Sequence, residues 1–248
     1  MKTNQRNIIL GILIFLYPAT ANAMHIMEGF LPKEHSIAWF IAALPFLIFG
    51  AMKIQNIIKD KPEYKMLLGL AAAFIFVLSA LKIPSVSGSS SHATGVGLSA
   101  ILFGPAVSSI LSGIVLLFQA LLLAHGGITT WGANVFSMGI AGAAAAWAIF
   151  RLCQALRLST KIAVFAAASM GDLITYAVTA GQLALAFPDP VDGFIAAYLK
   201  FLGIFAVTQL PLAVCEGLLS VVVYNTLADY EKQGLIKLPF TLVRSDVQ

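Results

Sequence analysis

The chain has 248 residues, of which 59% are apolar and only 10% charged, with a formal charge of +4. A water-soluble domain carries roughly 25% charged residues, so this composition excludes a soluble enzyme or binding module and indicates a single integral membrane domain. Nor does the positive charge indicate a nucleic-acid partner: Lys2 and Arg6 lie in a leader, and most other basic residues sit in short connections, where membrane orientation accounts for them.

The first segment, MKTNQRNIILGILIFLYPATANA, has the layout of a signal peptide. Lys2 and Arg6 precede a short apolar core at 8–16, and Ala21 and Ala23 supply an A-x-A cleavage site. Residues 1–23 are therefore expected to be removed, with an uncleaved anchor as the rival reading. Cleavage makes Met24 the first mature residue, outside the membrane, and residues 24–35 a mature N-terminal segment.

The predicted spans follow in chain order. The first covers residues 36–54 and leads into the lysine-rich KIQNIIKDKPEYK; the second covers 66–81 and leads into the polar IPSVSGSSSHATG. Read as one helix, the stretch 96–123 would put Arg151, Arg157 and Lys161 outside, against the positive-inside rule. Gly104-Pro105 divides it, because the residue before proline resists the helical region and proline readily begins a helix. The division predicts a short crossing at 91–103, which must tilt, be shielded by protein or re-enter, and a full one at 106–123. Further spans are expected at 134–150, 162–187 and 196–226, the last kinked at Pro211. The expectation is an all-α polytopic fold of about seven transmembrane helices within 36–227, N-terminus outside and C-terminus inside, with a cytoplasmic tail at 228–248. AGAAAAWA at 141–148 offers a small-residue face for close helix packing. Cys153 and Cys215 form no CxxC pair and read as buried free thiols.

Met24-His25 carries the chemistry. A free terminal amine, the His25 amide and His25 Nδ1 close a five- and a six-membered chelate ring around one side of a metal. Such a set suits square-planar or tetragonal Ni(II), Cu(II) or Co(II); it does not suit oxygen-seeking Ca²⁺ or Mg²⁺, nor a tetrahedral zinc cage. His92, in GSSSHATGVG, falls in an outside loop and is the candidate fourth nitrogen; the alternative is a polar loop histidine without a metal role. Around this set stand Glu28, Ser90 and His125. Glu28 either balances the metal's charge or is a plain surface acid. Ser90 and its neighbours Ser89, Ser91 and Thr94 orient the loop or the imidazole. His125 is a supporting group, a gate or a ligand in transit, and His35 is interfacial. Asp172 lies inside an apolar span, where an ionisable group faces inward for packing or transport; Glu216 and Lys200 are a candidate internal pair. No catalytic set is visible.

Five ordered segments carry a resemblance: MHIMEGFLP from Met24 to Pro32, SGSSSHATGVGLSAILFGP ending at Pro105, LLLAHGGITTWGAN, MGDLITYAVTAGQLALAF and QLPLAVCEGLL. Together they resemble the CbiM family, the substrate-capture membrane component of energy-coupling-factor cobalt transporters, with its nickel relatives, NikM. The resemblance implies metal ligation by Met24, His25 and His92, with Co²⁺ (or Ni²⁺) as transported substrate and no prosthetic group. It also implies a membrane coupling subunit, two cytoplasmic ATPase subunits and a small accessory membrane protein as partners, cobalt import feeding cobalamin synthesis, and a location in a bacterial plasma membrane. The chain contains no GxxxxGK[ST] phosphate loop, so energy must come from a partner or an ion gradient; the resemblance implies a transporter subunit, not an enzyme, with ATP hydrolysed by partner subunits. A stand-alone secondary metal transporter is the other reading. Ala42-Ala43 and Ala71-Ala72-Ala73 are candidate faces for the coupling subunit.

Overall fold

Lipid offers backbone groups no hydrogen bonds, so long apolar stretches satisfy them internally as helices. A computed structural model describes residues 22–23, 25–84 and 89–239; the leader up to residue 21, Met24 and the last nine residues lie outside the described ones. Among the described residues there are seven helices: α1 (Lys33–Asp60), α2 (Tyr64–Ala80), α3 (Val96–Phe103), α4 (Pro105–Leu123), α5 (Trp131–Ala155), α6 (Thr160–Ala186) and α7 (Gly193–Lys232). Five of these, α1, α4, α5, α6 and α7, are long and apolar enough to cross a membrane, and α2 is a shorter apolar helix. A small sheet accompanies them, in the order β1 (Asn22–Ala23), β3 (Ser89–Ser91), β2 (Ile83–Pro84). The protein is a mostly helical, multi-pass membrane protein.

Several helices run beyond their apolar stretches. α1 continues to Asp60, so Lys53 and Lys59 ride on its last turns and the expected lysine loop shrinks to residues 61–63. α7 continues to Lys232, where Lys232 pairs with Asp229 at 3.3 Å, and Pro211 sits inside this 40-residue helix. The expected short crossing at 91–103 yields only an eight-residue helix, α3, about 12 Å long. All eight of its residues are buried, so protein and not lipid surrounds it. The break at Gly104 is as expected: Gly104 takes φ 84° and Pro105 opens α4.

Small residues let α3 sit inside the bundle. Ala100 packs with Ala143 and Ala146 of α5, and Gly97 lies against Ala168 of α6 with no room for a side chain. α6 packs along both α5 and α7, whereas α1 is peripheral and turns Ile37, Ile41 and Ile48 outward. Of the alanines singled out as partner faces, Ala43 and Ala71 are buried within the chain itself, Ala42 and Ala72 are half-buried and Ala73 is exposed. Cys153 is buried, but Cys215 is exposed on α7, contrary to expectation, whereas its neighbour Glu216 is buried. At one end of the bundle Tyr64 donates to the Leu238 carbonyl (3.2 Å) and stacks edge-on with Phe103; the histidines gather at the other.

Candidate metal centre

The segment from His25 to Leu31 folds into the bundle as a strap. Ile26 and Leu31 bury their side chains in a cluster with Ala133, Tyr176, Leu183 and Phe205. That burial supplies the driving force, and polar contacts set the register. Ile26 N–H donates to Asn134 Oδ1 (2.8 Å), while Asn134 Nδ2 (3.1 Å) and Thr130 Oγ1 (2.5 Å) both donate to the Ile26 carbonyl. Further along, Gly29 N–H donates to Thr129 Oγ1 and Thr129 N–H to Glu28 Oε2, each at 3.1 Å. Glu28 is exposed and fastens the strap to 127–130; the bond to Thr129 holds its carboxyl below the usual range.

His92 stands between β3 and α3, held from two helices. Tyr176 of α6 donates to its carbonyl (2.6 Å). Glu216 of α7 accepts from Thr94 N–H (2.5 Å), Thr94 Oγ1 (3.0 Å) and Gly95 N–H (3.0 Å), satisfying the start of α3. Ser91 Oγ contacts Thr208 of α7 at 2.5 Å. His92 Nδ1 lies 3.0 Å from the Ala93 carbonyl, which can only accept, so Nδ1 carries the proton and Nε2 is left with its lone pair.

His125 follows α4. Ala124 takes a left-handed conformation (φ 46°) that turns the His125 N–H back to the Gln119 carbonyl (3.1 Å). Gly126, at φ 76°, lets the chain pass close to His25.

These three segments bring three imidazoles together. Ring centroids are 4.5 Å apart for His25–His92 and for His25–His125, and 5.0 Å apart for His92–His125. One nitrogen from each lies within 4.8 Å of the others. All three side chains are buried, and among the described residues His25 Nε2, His92 Nε2 and both His125 nitrogens have no hydrogen-bond partner. Unpaired buried nitrogens are costly, and four in one chamber call for a shared ligand. Burial, then the neighbouring His92 and His125, hold His25 well below the usual imidazole range. Burial takes His92 to about 4, and burial with His92 takes His125 to about 2. All three are neutral at pH 7, the form that ligates a metal. Nitrogens about 2.1 Å from one metal lie at most about 4.2 Å apart, so the trio fits an ion after contracting by about half an ångström.

The structure thus juxtaposes His25 and His92, as expected, and moves His125 from the periphery into the cluster. Met24 lies outside the described residues. Ser90 pairs through its backbone with Ala23 and Pro84, and its side chain is not among those described. His35 is half-buried on α1, away from the trio. The Glu216–Lys200 pair does not form: sixteen residues of α7 separate them by about 24 Å, and Lys200 is exposed while Glu216 is buried. Glu216 instead bonds to Thr94 and Gly95 and lies against Asp172, whose oxygens receive no hydrogen bond among the described residues. Sequence reasoning missed Asn134, Thr130, Tyr176 and Gln119; each is a polar group in an apolar stretch, which in a membrane requires a partner.

Fold and site together define a multi-pass membrane protein that encloses a water-excluded chamber of neutral imidazoles at one end of its bundle. Residues 25–233 match the CbiM family, described as "Cobalt uptake substrate-specific transmembrane region", and the chain belongs to that family. "Cobalt transport protein CbiM 2" of Pelobacter propionicus is 60% identical over 212 residues, covering 86% of this chain and 94% of that protein. "Cobalt transport protein CbiM" of Moorella thermoacetica is 60% identical over 218 residues, covering 88% and 84%. A solved structure described as a transition metal transporter aligns with TM-score 0.74 at 25% identity, over 84% of this chain and 94% of that one. A truncated transition metal transporter aligns with TM-score 0.72 at 26% identity, over 83% and 99%.

Proposed function

We propose that this chain captures Co²⁺ for import as the substrate-specific subunit of an ATP-driven energy-coupling-factor transporter, supplying cobalamin biosynthesis. Ni²⁺ is the alternative cargo, since both ions accept nitrogen donors and raw affinity favours nickel. The observation that carries the proposal is the trio of buried imidazoles, each bringing a nitrogen within 4.8 Å of the others, beside the docked segment from His25 to Leu31. In this reading a peptidase removes residues 1–23. The Met24 amine, the His25 amide and Nδ1, and His92 Nε2 form the plane around the ion, and His125 offers a nitrogen from one face. The chain crosses the membrane seven times, with the histidine end outside and the Tyr64–Leu238 end inside; the stretch from His92 through α3 passes between them within protein. A coupling subunit, two ATPase subunits and a small accessory membrane protein supply the energy, in a bacterial plasma membrane.

The test is N-terminal sequencing of the purified protein, together with its bound-metal content. The expected result is Met24 as first residue and one Co²⁺ per chain. One extra alanine before Met24 should sharply weaken binding; unchanged affinity refutes the amine ligand. Reconstitution without ATPase partners should give no uptake, whereas uptake by the chain alone would establish a secondary transporter.

A further inference from the structure

Gln119 lies on α4 within LLFQALLL and is fully buried. Its carboxamide orientation follows from its neighbours. Ser79 Oγ spends its proton on the Ile75 carbonyl at 2.5 Å, so towards Gln119, 2.7 Å away, it can only accept. The nearby Phe76 carbonyl, at 3.5 Å, is also an acceptor only. The Gln119 atom on this side is therefore Nε2, and Oε1 points to the opposite side. The Gln119 carbonyl accepts the His125 N–H (3.1 Å), and the His125 ring lies 4.5 Å from that of His25, which puts the Gln119 side chain beside the His25 ring. Gln119 Oε1 and His25 Nε2 are both buried, and neither has a hydrogen-bond partner among the described residues, an acceptor and a potential donor left over on the same side.

We propose that Gln119 is a positioning residue that sets the tautomer of His25. Its Oε1 accepts a proton-bearing His25 Nε2, which leaves the Nδ1 lone pair free. Nδ1 is the nitrogen that closes a six-membered chelate ring with the His25 amide; Nε2 lies too far round the ring to do so. His92 is set the opposite way, with Nδ1–H on the Ala93 carbonyl and Nε2 free. The cluster thus holds two histidines fixed in opposite tautomers by acceptors that cannot donate. Ser79 and Phe76 of α2 act through Gln119, so α2 contributes to the site without touching it. The hydrogen-bond inventory fixes the Gln119 orientation and the His92 tautomer; the His25 tautomer is the proposal, and its consequence for metal capture rests on the reading of His25 as a ligand.

The experiment uses the processed full-length chain with ¹⁵N-labelled histidine. Its four histidines give four imidazole patterns in long-range ¹H–¹⁵N spectra, with His25 assigned by its loss in His25→Ala. In the absence of metal, His25 should be the Nε2–H form and His92 the Nδ1–H form. Gln119→Leu should convert His25 to a tautomer mixture, while Gln119→Glu keeps Nε2–H. Ser79→Ala, a gentler change, should produce partial mixing by freeing the carboxamide to turn over. A Co²⁺ titration followed by visible absorption should then show about 10–100-fold weaker binding in Gln119→Leu, restored in Gln119→Glu. An Nδ1–H form in the parent protein overturns the proposal, as does an unchanged Nε2–H form in both Gln119→Leu and Ser79→Ala. Failure of the parent protein to bind Co²⁺ would sink the metal reading instead and leave the tautomer result to be judged by itself.

Discussion

Replacing Asn134 with alanine tests whether the docked strap and metal capture are one event. Asn134 serves Ile26 as a stretch of strand would, accepting from its N–H at 2.8 Å and donating to its carbonyl at 3.1 Å. Thr130 also donates to that carbonyl, so Asn134→Ala orphans chiefly the Ile26 N–H. A buried unpaired donor costs about 1–3 kcal/mol. Ile26 directly follows His25, and if binding the ion requires this docked conformation, the cost appears in affinity. At 1.4 kcal/mol per tenfold, it amounts to about 5–140-fold weaker binding. Equilibrium competition against a chromophoric chelator measures this for Co²⁺, and protease sensitivity around 25–31 reports undocking independently. Asn134→Asp retains the acceptor for Ile26 N–H and should lose less. Full affinity in Asn134→Ala, with the strap protease-sensitive, would separate docking from capture and refute the reasoning.

Three further outcomes are expected. Glu216→Ala leaves the Thr94 and Gly95 N–H groups unpaired, at about 2–6 kcal/mol; the unfolding midpoint in detergent should drop by at least about 4 °C, with Glu216→Gln intermediate. Gly127→Ala places a methyl against the Glu28 backbone, so it should lift the strap and weaken Co²⁺ binding in the same competition assay while far-UV circular dichroism stays unchanged. The histidines predict a pH dependence of the protein without metal. Their folded values lie below the ordinary 6.5, so the unfolded chain takes up protons first. Stability is therefore fully present above pH 6.5 and falls as the pH is lowered towards 4. His92 alone, at about 4, accounts for roughly 2 kcal/mol between pH 7 and 5. Thermal melts at the two values should show the loss, and His92→Gln should lessen it.

The membrane class and most spans were legible in the sequence because lipid demands long apolar runs, and Gly104-Pro105 marked its break for steric reasons. Helix ends were less legible: Lys53 and Lys59 read as loop residues, yet backbone hydrogen bonding carries α1 past the apolar stretch. His25 was singled out by the donor spacing at Met24-His25 and His92 by its place in an outside loop, and the structure brings their rings to 4.5 Å. His125 was undervalued because its place in the cluster depends on the left-handed Ala124, which leaves no mark in composition. Glu216 was matched with Lys200 on charge alone; its true partners are backbone groups more than a hundred residues earlier, which pairing by sign cannot reveal. Gln119 did leave a trace, one amide among leucines, and asking what satisfies it would have led to Ser79.

The start of α3 is closed by a side chain from α7, about 120 residues downstream, and α3 itself touches only protein. The heart of the molecule therefore cannot mature in the order of synthesis. When residues 92–103 leave the ribosome, the acceptor of the Thr94 and Gly95 amides does not yet exist, and these two groups must wait beside the early helices until α7 arrives. A nascent chain halted before Glu216 would already have Tyr176 to hold the His92 carbonyl but would leave the first turn of α3 open, so the segment after the histidine gains its closing partner only as the last helix is made.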